Sequence, residues 1–347
     1  MRLERRTHTP LYLAVLAPVV AILAALVLAA GLIAAAGVNP LTAYGEMLRG
    51  ALGSKLSLTE MLTRATPLIF TGLAAAVAFR ARLWNIGGEG QFFVGALATA
   101  WIGHTLAAPG WIGVPVLMVA GMVAGALLLA GPAYLRLRFG VDEVVTTLLL
   151  NFIVILFVGL MIEGPMKDPL AFGWPQSVPV DGNFRLPDLV PRTRLHIGLL
   201  FAIGAAGLVW LLLARTVFGA ETRAAGLNAS AAAFAGISLP RTIMGVALIS
   251  GALAGLAGSV EVMGVTAGVT TTMSPGFGYA GIVVAMLAAL HPAGVVAAAV
   301  FIATVFVGAD AMSRATGVPS FIADVIVALC LLTMIVALLF TTYRVRR

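Results

Sequence analysis

Apolar runs separated by short polar stretches recur along the whole chain. Each run is about 20 residues long, the length that crosses a bilayer as an α-helix. Open sheets cannot satisfy their edges in lipid, and the alternating pattern of an outer-membrane barrel is absent. The pattern therefore predicts an all-α, polytopic transmembrane helical bundle of about ten spans, near residues 11–36, 59–80, 86–104, 111–135, 142–163, 196–214, 241–262, 276–291, 292–309 and 319–342.

The composition indicates that lipid is the solvent for most of the surface. Hydrophobic residues make up 61% of the 347 residues and charged residues only 10%, whereas soluble domains carry about 25% charged residues. The net charge of +7 does not indicate nucleic acid as a partner, because no basic patch has interleaved aromatic residues. Cys330 is the only cysteine, which excludes a disulfide within the chain and a cysteine metal site.

Basic residues assign the two sides of the bundle. Ten spans place both ends on one side, and with the ends inside, the inner loops hold 13 arginines against 8 arginines and lysines outside. Four of those eight lie in the long loop 164–195, and long loops count less in the positive-inside rule. Both ends are therefore predicted to be cytoplasmic. The loop 164–195 is then extracytoplasmic, and the polar segment 215–240, which predicts a short amphipathic helix, is cytoplasmic.

Two short segments, 86–104 and 276–291, open with glycine clusters and are expected to be broken or re-entrant. The sequence from Asn85 aligns with the sequence from Ser274, 189 residues later. Five spans in each half give the halves opposite orientations, and inverted repeats with interrupted helices place a transport path at their interface. A chance similarity is the alternative, because alanine- and glycine-rich spans align easily.

A polar cluster stands at the mouth of the third span, in the sequence RARLWNIGGEGQ. Asn85, Glu89 and Gln91 are its polar side chains, and its glycines allow a sharp turn or close approach to a ligand. An ionisable group at membrane depth is by default a functional hypothesis. The structural alternative is a helix cap in which Glu89 complements the N-terminus.

A polar stripe follows at the start of the fifth span. Glu143, Thr147 and Asn151 recur every four residues, so they share one helix face. A helix N-terminus accounts for Glu143 but not for Asn151, two turns deeper. Asn151 either joins helices by hydrogen bonds, which the pattern favours, or faces a path.

The sequence carries no catalytic constellation. It has no HExxH or GxSxG motif, and neither of its two lysines follows a glycine as a P-loop requires. We therefore predict a transport protein without its own ATPase site, without a cofactor and without a metal site.

These residues resemble a known family. The sequence LWNIGGEGQFFVGA resembles the N-I-G-x-E-G-Q signature of nucleoside permeases of ABC importers, within the group that includes ribose and branched-chain amino acid permeases. The sequence DEVVTTLLLNF resembles a second segment of that branch. The inner loop resembles the coupling segment of the group, although Glu221-Thr222-Arg223 departs from a strict Glu-Ala-Ala. The matching coupling residues are Glu221, Arg223, Gly226, Asn228, Ala232 and Gly236.

The resemblance implies a single transmembrane permease domain, residues 1–347, in a bacterial cytoplasmic (inner) membrane. Its implied partners are an ABC ATPase subunit on the coupling segment, a second permease that is identical or a paralogue, an extracytoplasmic substrate-binding lipoprotein or protein, and membrane lipid. A nucleoside is expected to pass near Asn85, Glu89 and Gln91, with Phe277 and Tyr279 stacking on its base. The alternatives are a sugar or branched-chain amino acid permease of the same group, or an ion-driven secondary transporter.

Overall fold

A computed structural model describes the backbone of residues 2–5 and 11–346 and the side chains of residues 16–339. In this part of the chain the fold is all-α apart from one short pair of strands, as predicted. The helices are α1 (Leu11–Ala35), α2 (Pro40–Leu52), α3 (Lys55–Arg80), α4 (Gly88–Thr105), α5 (Gly110–Phe139), α6 (Glu143–Glu163), α7 (Gly198–Arg215), α8 (Val217–Leu227), α9 (Ala229–Phe234), α10 (Leu239–Glu261), α11 (Phe277–Leu287), α12 (Pro292–Thr316) and α13 (Ile322–Thr342). The strands β1 (Arg2–Arg5) and β2 (Tyr343–Arg346) pair antiparallel, so both ends lie on one side of the bundle.

The ten predicted spans correspond to ten segments of the described chain. Among the described residues, eight helices are long and apolar enough to cross a membrane: α1, α3, α5, α6, α7, α10, α12 and α13. The other two crossings contain α4 and α11, at the predicted short segments. α11 has only 11 residues, or about 16 Å of helix, which is about half of the hydrocarbon thickness. A π-helical turn, Val262–Thr266, and an irregular stretch precede it, so this crossing is a broken helix.

The helices α4 and α11 begin beside each other and run in opposite directions. The amide of Gly278, in the first turn of α11, donates to the Glu89 carboxylate in the first turn of α4 at 2.6 Å. From there α11 runs towards the end of α3, where the Arg80 guanidinium donates to the Leu290 carbonyl at 2.9 Å. The far end of α4 reaches the segment between α6 and α7, at the opposite end of the bundle.

The packing supports the inverted repeat. Glu89 and Gly278 are 189 residues apart, the separation of the predicted repeat, and equivalent positions touch where a two-fold axis passes between them. Helix α10 packs on α4 and α5, and its counterpart α3 packs on α11 and α12. The first helix of each half breaks this symmetry, because α1 packs along α13 whereas α7 packs against α3 and α12.

Glycines hold α5 and α10 in close contact. A Cβ added to Gly125 would lie 2.2 Å from the Gly251 carbonyl oxygen, and one added to Gly255 would lie 2.1 Å from the Gly121 carbonyl oxygen. Neither position can accept a side chain unless the backbones move apart. These small residues, spaced four apart on each helix, therefore serve helix packing.

Helix α2 is absent from the predicted elements. Asn39 caps its N-terminus by accepting the Leu41 amide at 2.9 Å. Its buried side chains, Ala43, Met47 and Ala51, recur every four residues and face α12. A search for long apolar runs does not detect a narrow apolar stripe of this kind in a helix too short to span a bilayer.

The long loop between α6 and α7 folds over one end of the bundle. The buried Phe184 ring packs directly against Gly113 of α5. The Ser177 hydroxyl accepts the Val269 amide at 2.8 Å, in the irregular stretch before α11. The loop thus covers the place where the broken crossing enters the bundle.

Candidate functional site

The irregular segment between α3 and α4 is held by a pair of side-chain amides. Asn85 donates to Gln91 Oε1 at 2.9 Å, and Gln91 donates back to Asn85 Oδ1 at 2.8 Å. Asn85 also donates to the Ser250 hydroxyl of α10 at 3.0 Å and accepts the Gly87 amide at 2.9 Å. These bonds use both donors and both acceptor positions of Asn85. Asn85 therefore fixes the backbone and has no free polar group to offer a ligand.

The polar stripe of α6 receives the same segment. Glu143 accepts the Trp84 amide at 3.2 Å, and Thr147 accepts the Ile86 amide at 3.2 Å. Asn151, which is fully buried, accepts the Gly90 amide at 2.8 Å. Glu143 and Thr147 thus satisfy amides of the irregular stretch, and Asn151 satisfies an amide in the first turn of α4, so groups without a helical partner are paired as a membrane requires.

Asn151 also connects this segment to the second half of the chain. Its Nδ2 donates to the Ile86 carbonyl at 2.8 Å and to the Tyr279 hydroxyl at 3.1 Å. The side chain thereby joins α6, the start of α4 and the start of α11. This geometry favours the role of Asn151 in joining helices over a role at the path.

Glu89 lies where the N-termini of α4 and α11 meet. Its side chain is buried, and its carboxylate receives the Gly278 amide. The N-terminal end of a helix carries a partial positive charge, so a carboxylate between two such ends is favourably placed. Glu89 therefore holds together the two halves of the inverted repeat, as the helix-cap interpretation expects.

The two predicted stacking residues have different surroundings. Phe277 is only 3% exposed, and its ring lies 5.9 Å from that of Phe92, so it is a core residue without a free face. Tyr279 is 37% exposed. Of the six residues predicted to line a substrate path, Tyr279 alone reaches the surface of the described chain.

The predicted coupling segment contains two short helices, α8 and α9. The Asn228 side chain caps α9 by accepting the Ala231 amide at 3.1 Å. Gly236 ends the segment with a φ of +86°, which favours glycine. Arg223 donates to the Leu213 carbonyl at 2.9 Å. Residues of the coupling motif therefore stabilise the segment by their own hydrogen bonds. The sequence predicted one amphipathic helix here, whereas the structure has two, divided at Asn228.

Other coupling residues face into the protein. Glu221 lies 3.4 Å from the Thr242 hydroxyl, and Ala232 is buried. Gly226 is buried, and an added Cβ would lie 1.9 Å from the Arg80 carbonyl oxygen. Gly226 therefore does not face a partner protein, because the end of α3 occupies that space.

The coupling segment exposes two large apolar side chains. Phe234, at the end of α9, is 97% exposed, and Leu227, at the end of α8, is 73% exposed. Exposed apolar side chains that form a patch rimmed by polar residues mark contact sites for other proteins. Motif matching does not find them; the signal in the sequence is a phenylalanine within an otherwise alanine-rich polar loop.

A family profile described as "Branched-chain amino acid transport system / permease component" matches residues 57–339. A glucose ABC transporter permease of Haloferax volcanii is 35% identical, over 99% of this chain and 93% of its own length. A guanosine ABC transporter permease of Bacillus subtilis is 34% identical, over 91% of this chain and 92% of its own. A nucleoside ABC transporter permease of Lactococcus lactis is 33% identical, over 90% and 88%.

Proposed function

Because the chain belongs to this family of permease components, we propose that it is the membrane-spanning permease of an ATP-binding-cassette importer that carries nucleosides. The observation that carries the proposal is the full-length similarity to a guanosine and a nucleoside permease. ATP would be hydrolysed by a separate subunit, since the two lysines, Lys55 and Lys167, follow serine and methionine and cannot form a P-loop.

The proposed path runs past the junction of α4 and α11. The buried amides and carboxylate of the junction are engaged with the backbone or with one another, so their part is to fix its shape. Tyr279 presents a partly exposed ring for stacking on a base, and Asn151 holds its hydroxyl in place. Phe277 supports this arrangement from the core. A nucleoside suits such a lining because it is neutral and apolar on the face of its base.

A sugar is the second candidate substrate, because a glucose permease is 35% identical over 99% of the chain. Sugars and nucleosides share ring hydroxyls, and they differ in the aromatic base. Direct competition for uptake separates the two candidates, whereas Tyr279 substitutions alone do not, because the C–H face of a sugar also packs on an aromatic ring.

We further propose that the ATPase subunit docks on the surface formed by Leu227 and Phe234. The two side chains are large, apolar and at the ends of adjacent short helices. The complex would include a second permease and an extracytoplasmic binding protein or lipoprotein, in the bacterial inner membrane. Both chain ends would be cytoplasmic, on the side of the coupling segment.

The substrate is tested by uptake into vesicles that contain the complete complex. Labelled guanosine should enter in an ATP-dependent manner, and unlabelled nucleosides should compete while glucose, ribose and leucine should not. Tyr279→Ala should raise the KM for the nucleoside severalfold, whereas Tyr279→Phe, which keeps the ring, should raise it little. Uptake of glucose that nucleosides do not inhibit would refute the nucleoside assignment and leave the importer assignment intact.

Docking is tested by co-purification of the ATPase with the permease. Phe234→Ala should reduce the recovered ATPase and uncouple its hydrolysis from substrate. Phe172→Ala is the matched control, because Phe172 is equally exposed but lies in the loop at the opposite end. Equal loss of ATPase in both variants, or no loss in either, would exclude Phe234 as a docking residue.

A further inference from the structure

An open groove of about 670 Å³ lies between α5 and α10, at the end of the bundle that carries the coupling segment. It occurs where α5 ends and α10 begins. The two helices touch through glycines near their middles and separate beyond that contact, where their side chains are larger. Its lining residues are Tyr134, Leu137, Arg138, Pro240, Arg241, Met244, Gly245 and Leu248.

The groove is polar at one end and apolar along its length. Arg138 is in the last turn of α5 and Arg241 in the first turn of α10, and both residues line the groove at this end. The Arg138 guanidinium also lies 5.9 Å from the centroid of the exposed Phe139 ring. Met244 and Leu248 follow one and two turns deeper on the same face of α10. The order from mouth to interior is therefore cationic and then aliphatic, which is the order of an anionic phospholipid from headgroup to acyl chain.

The arginines at the mouth lack carboxylate partners. Among the side chains of residues 16–339, neither Arg138 nor Arg241 has an acidic group within 4.0 Å. Both are exposed. By contrast, the neighbouring Arg136 is paired with Glu143 at 2.7 Å. Two unpaired cations beside an apolar groove at the cytoplasmic membrane boundary match the features of pockets that hold anionic lipid headgroups.

We propose that this groove binds one anionic phospholipid, with its phosphate between Arg138 and Arg241 and an acyl chain along Met244 and Leu248. The bound lipid also reaches the coupling segment. A Cβ added to Gly245 would lie 2.9 Å from the Phe218 ring of α8, so the wall of the groove rests directly on that helix.

The test is native mass spectrometry of the full-length protein with added phosphatidylglycerol or phosphatidylcholine of identical acyl chains. The wild-type protein should bind phosphatidylglycerol more tightly. The double variant Arg138→Gln/Arg241→Gln should lose roughly 30-fold in affinity for that lipid, since each basic side chain near an anionic lipid contributes about a fivefold factor. Its affinity for phosphatidylcholine should not change.

The matched control is Arg82→Gln/Arg215→Gln, which removes the same charge at the same end of the bundle but outside the groove. It should bind phosphatidylglycerol as the wild type does. Leu248→Trp should weaken both lipids, because Leu248 is 39% exposed and a larger ring fills the groove without entering the core.

Three results would overturn the proposal. The first is equal binding of the two lipids by the wild type, and the second is a loss of affinity in the control pair as large as that in the groove pair. The third is a photoreactive residue at position 134 that cross-links in the membrane to a polypeptide and to no lipid, which would make the groove a protein interface.

Discussion

Asn151→Leu is the substitution that best separates a structural from a transport role at the α4–α11 junction. Leucine has the same number and branching of side-chain heavy atoms as asparagine, so the variant keeps the shape of the side chain and leaves no cavity. It removes three hydrogen bonds and leaves two backbone groups without partners, the buried Gly90 amide and the half-buried Ile86 carbonyl. The Gly90 amide is in the first turn of α4 and has no partner within the helix.

The size of the effect follows from those groups. A buried backbone group without a partner costs about 1–3 kcal/mol, so two such groups cost about 2–6 kcal/mol. Hydrogen bonds between membrane helices average about 0.6 kcal/mol each, which gives about 2 kcal/mol for three. We therefore expect the free energy of unfolding to fall by about 2–4 kcal/mol.

The assay is denaturant-induced unfolding of the purified protein in detergent, followed by tryptophan fluorescence. Asn228→Ala is the control, because it removes an exposed cap of a short surface helix and should cost about 1 kcal/mol or less. If Asn151→Leu unfolds like the wild type but the complex no longer transports, Asn151 faces the path and our account of the junction is wrong.

Two further predictions concern packing and pH. Overpacking a core usually costs about 1–3 kcal/mol. Gly255→Ala should lower the free energy of unfolding by more than this range, measured in the same assay, because the new methyl group meets the Gly121 carbonyl. His196, in the loop between α6 and α7, is buried, and its Nε2 has no partner among the described atoms. Burial and, second, the charge of Arg185 lower the pKa of His196 to about 4, against a smaller opposite effect of Asp188. The folded state favours the neutral form of His196, so this contribution to the free energy of unfolding is complete above pH 6.5. It is lost as the pH falls towards 4, by up to about 3 kcal/mol. His196→Leu should remove that part of the pH dependence.

The features that depend on residues close in sequence were predictable. The spans follow from apolar runs, and the α6 stripe follows from a spacing of four residues, because helix geometry fixes which side chains share a face. The broken crossings follow from glycine clusters that open short apolar runs. Even the head-to-head contact of Glu89 and Gly278 agrees with the repeat, because internal symmetry relates distant residues.

The features that depend on orientation or distant partners were not predictable. Nothing local in the sequence tells whether Gly226 faces a partner protein or the carbonyl of Arg80. The saturation of Asn85 requires Ser250, a single hydroxyl 165 residues away within an apolar helix. Helix α2 was not predicted because its apolar stripe is too narrow and too short to resemble a membrane span.

The polar residues of the junction are explained first by the backbone that they hold. Between Arg80 and Gly88 the chain leaves helical structure inside the bundle, so its amides and carbonyls need partners that lipid cannot supply. Side chains of α5 and α6, together with Asn85 itself, supply them. Asn85, which also bonds to Gln91 and Ser250, is left with no free hydrogen-bonding capacity. A group that is already saturated cannot distinguish one substrate from another. Under the proposed function, selectivity would therefore come from groups with an exposed surface, such as Tyr279, and from the proteins proposed to assemble with the permease.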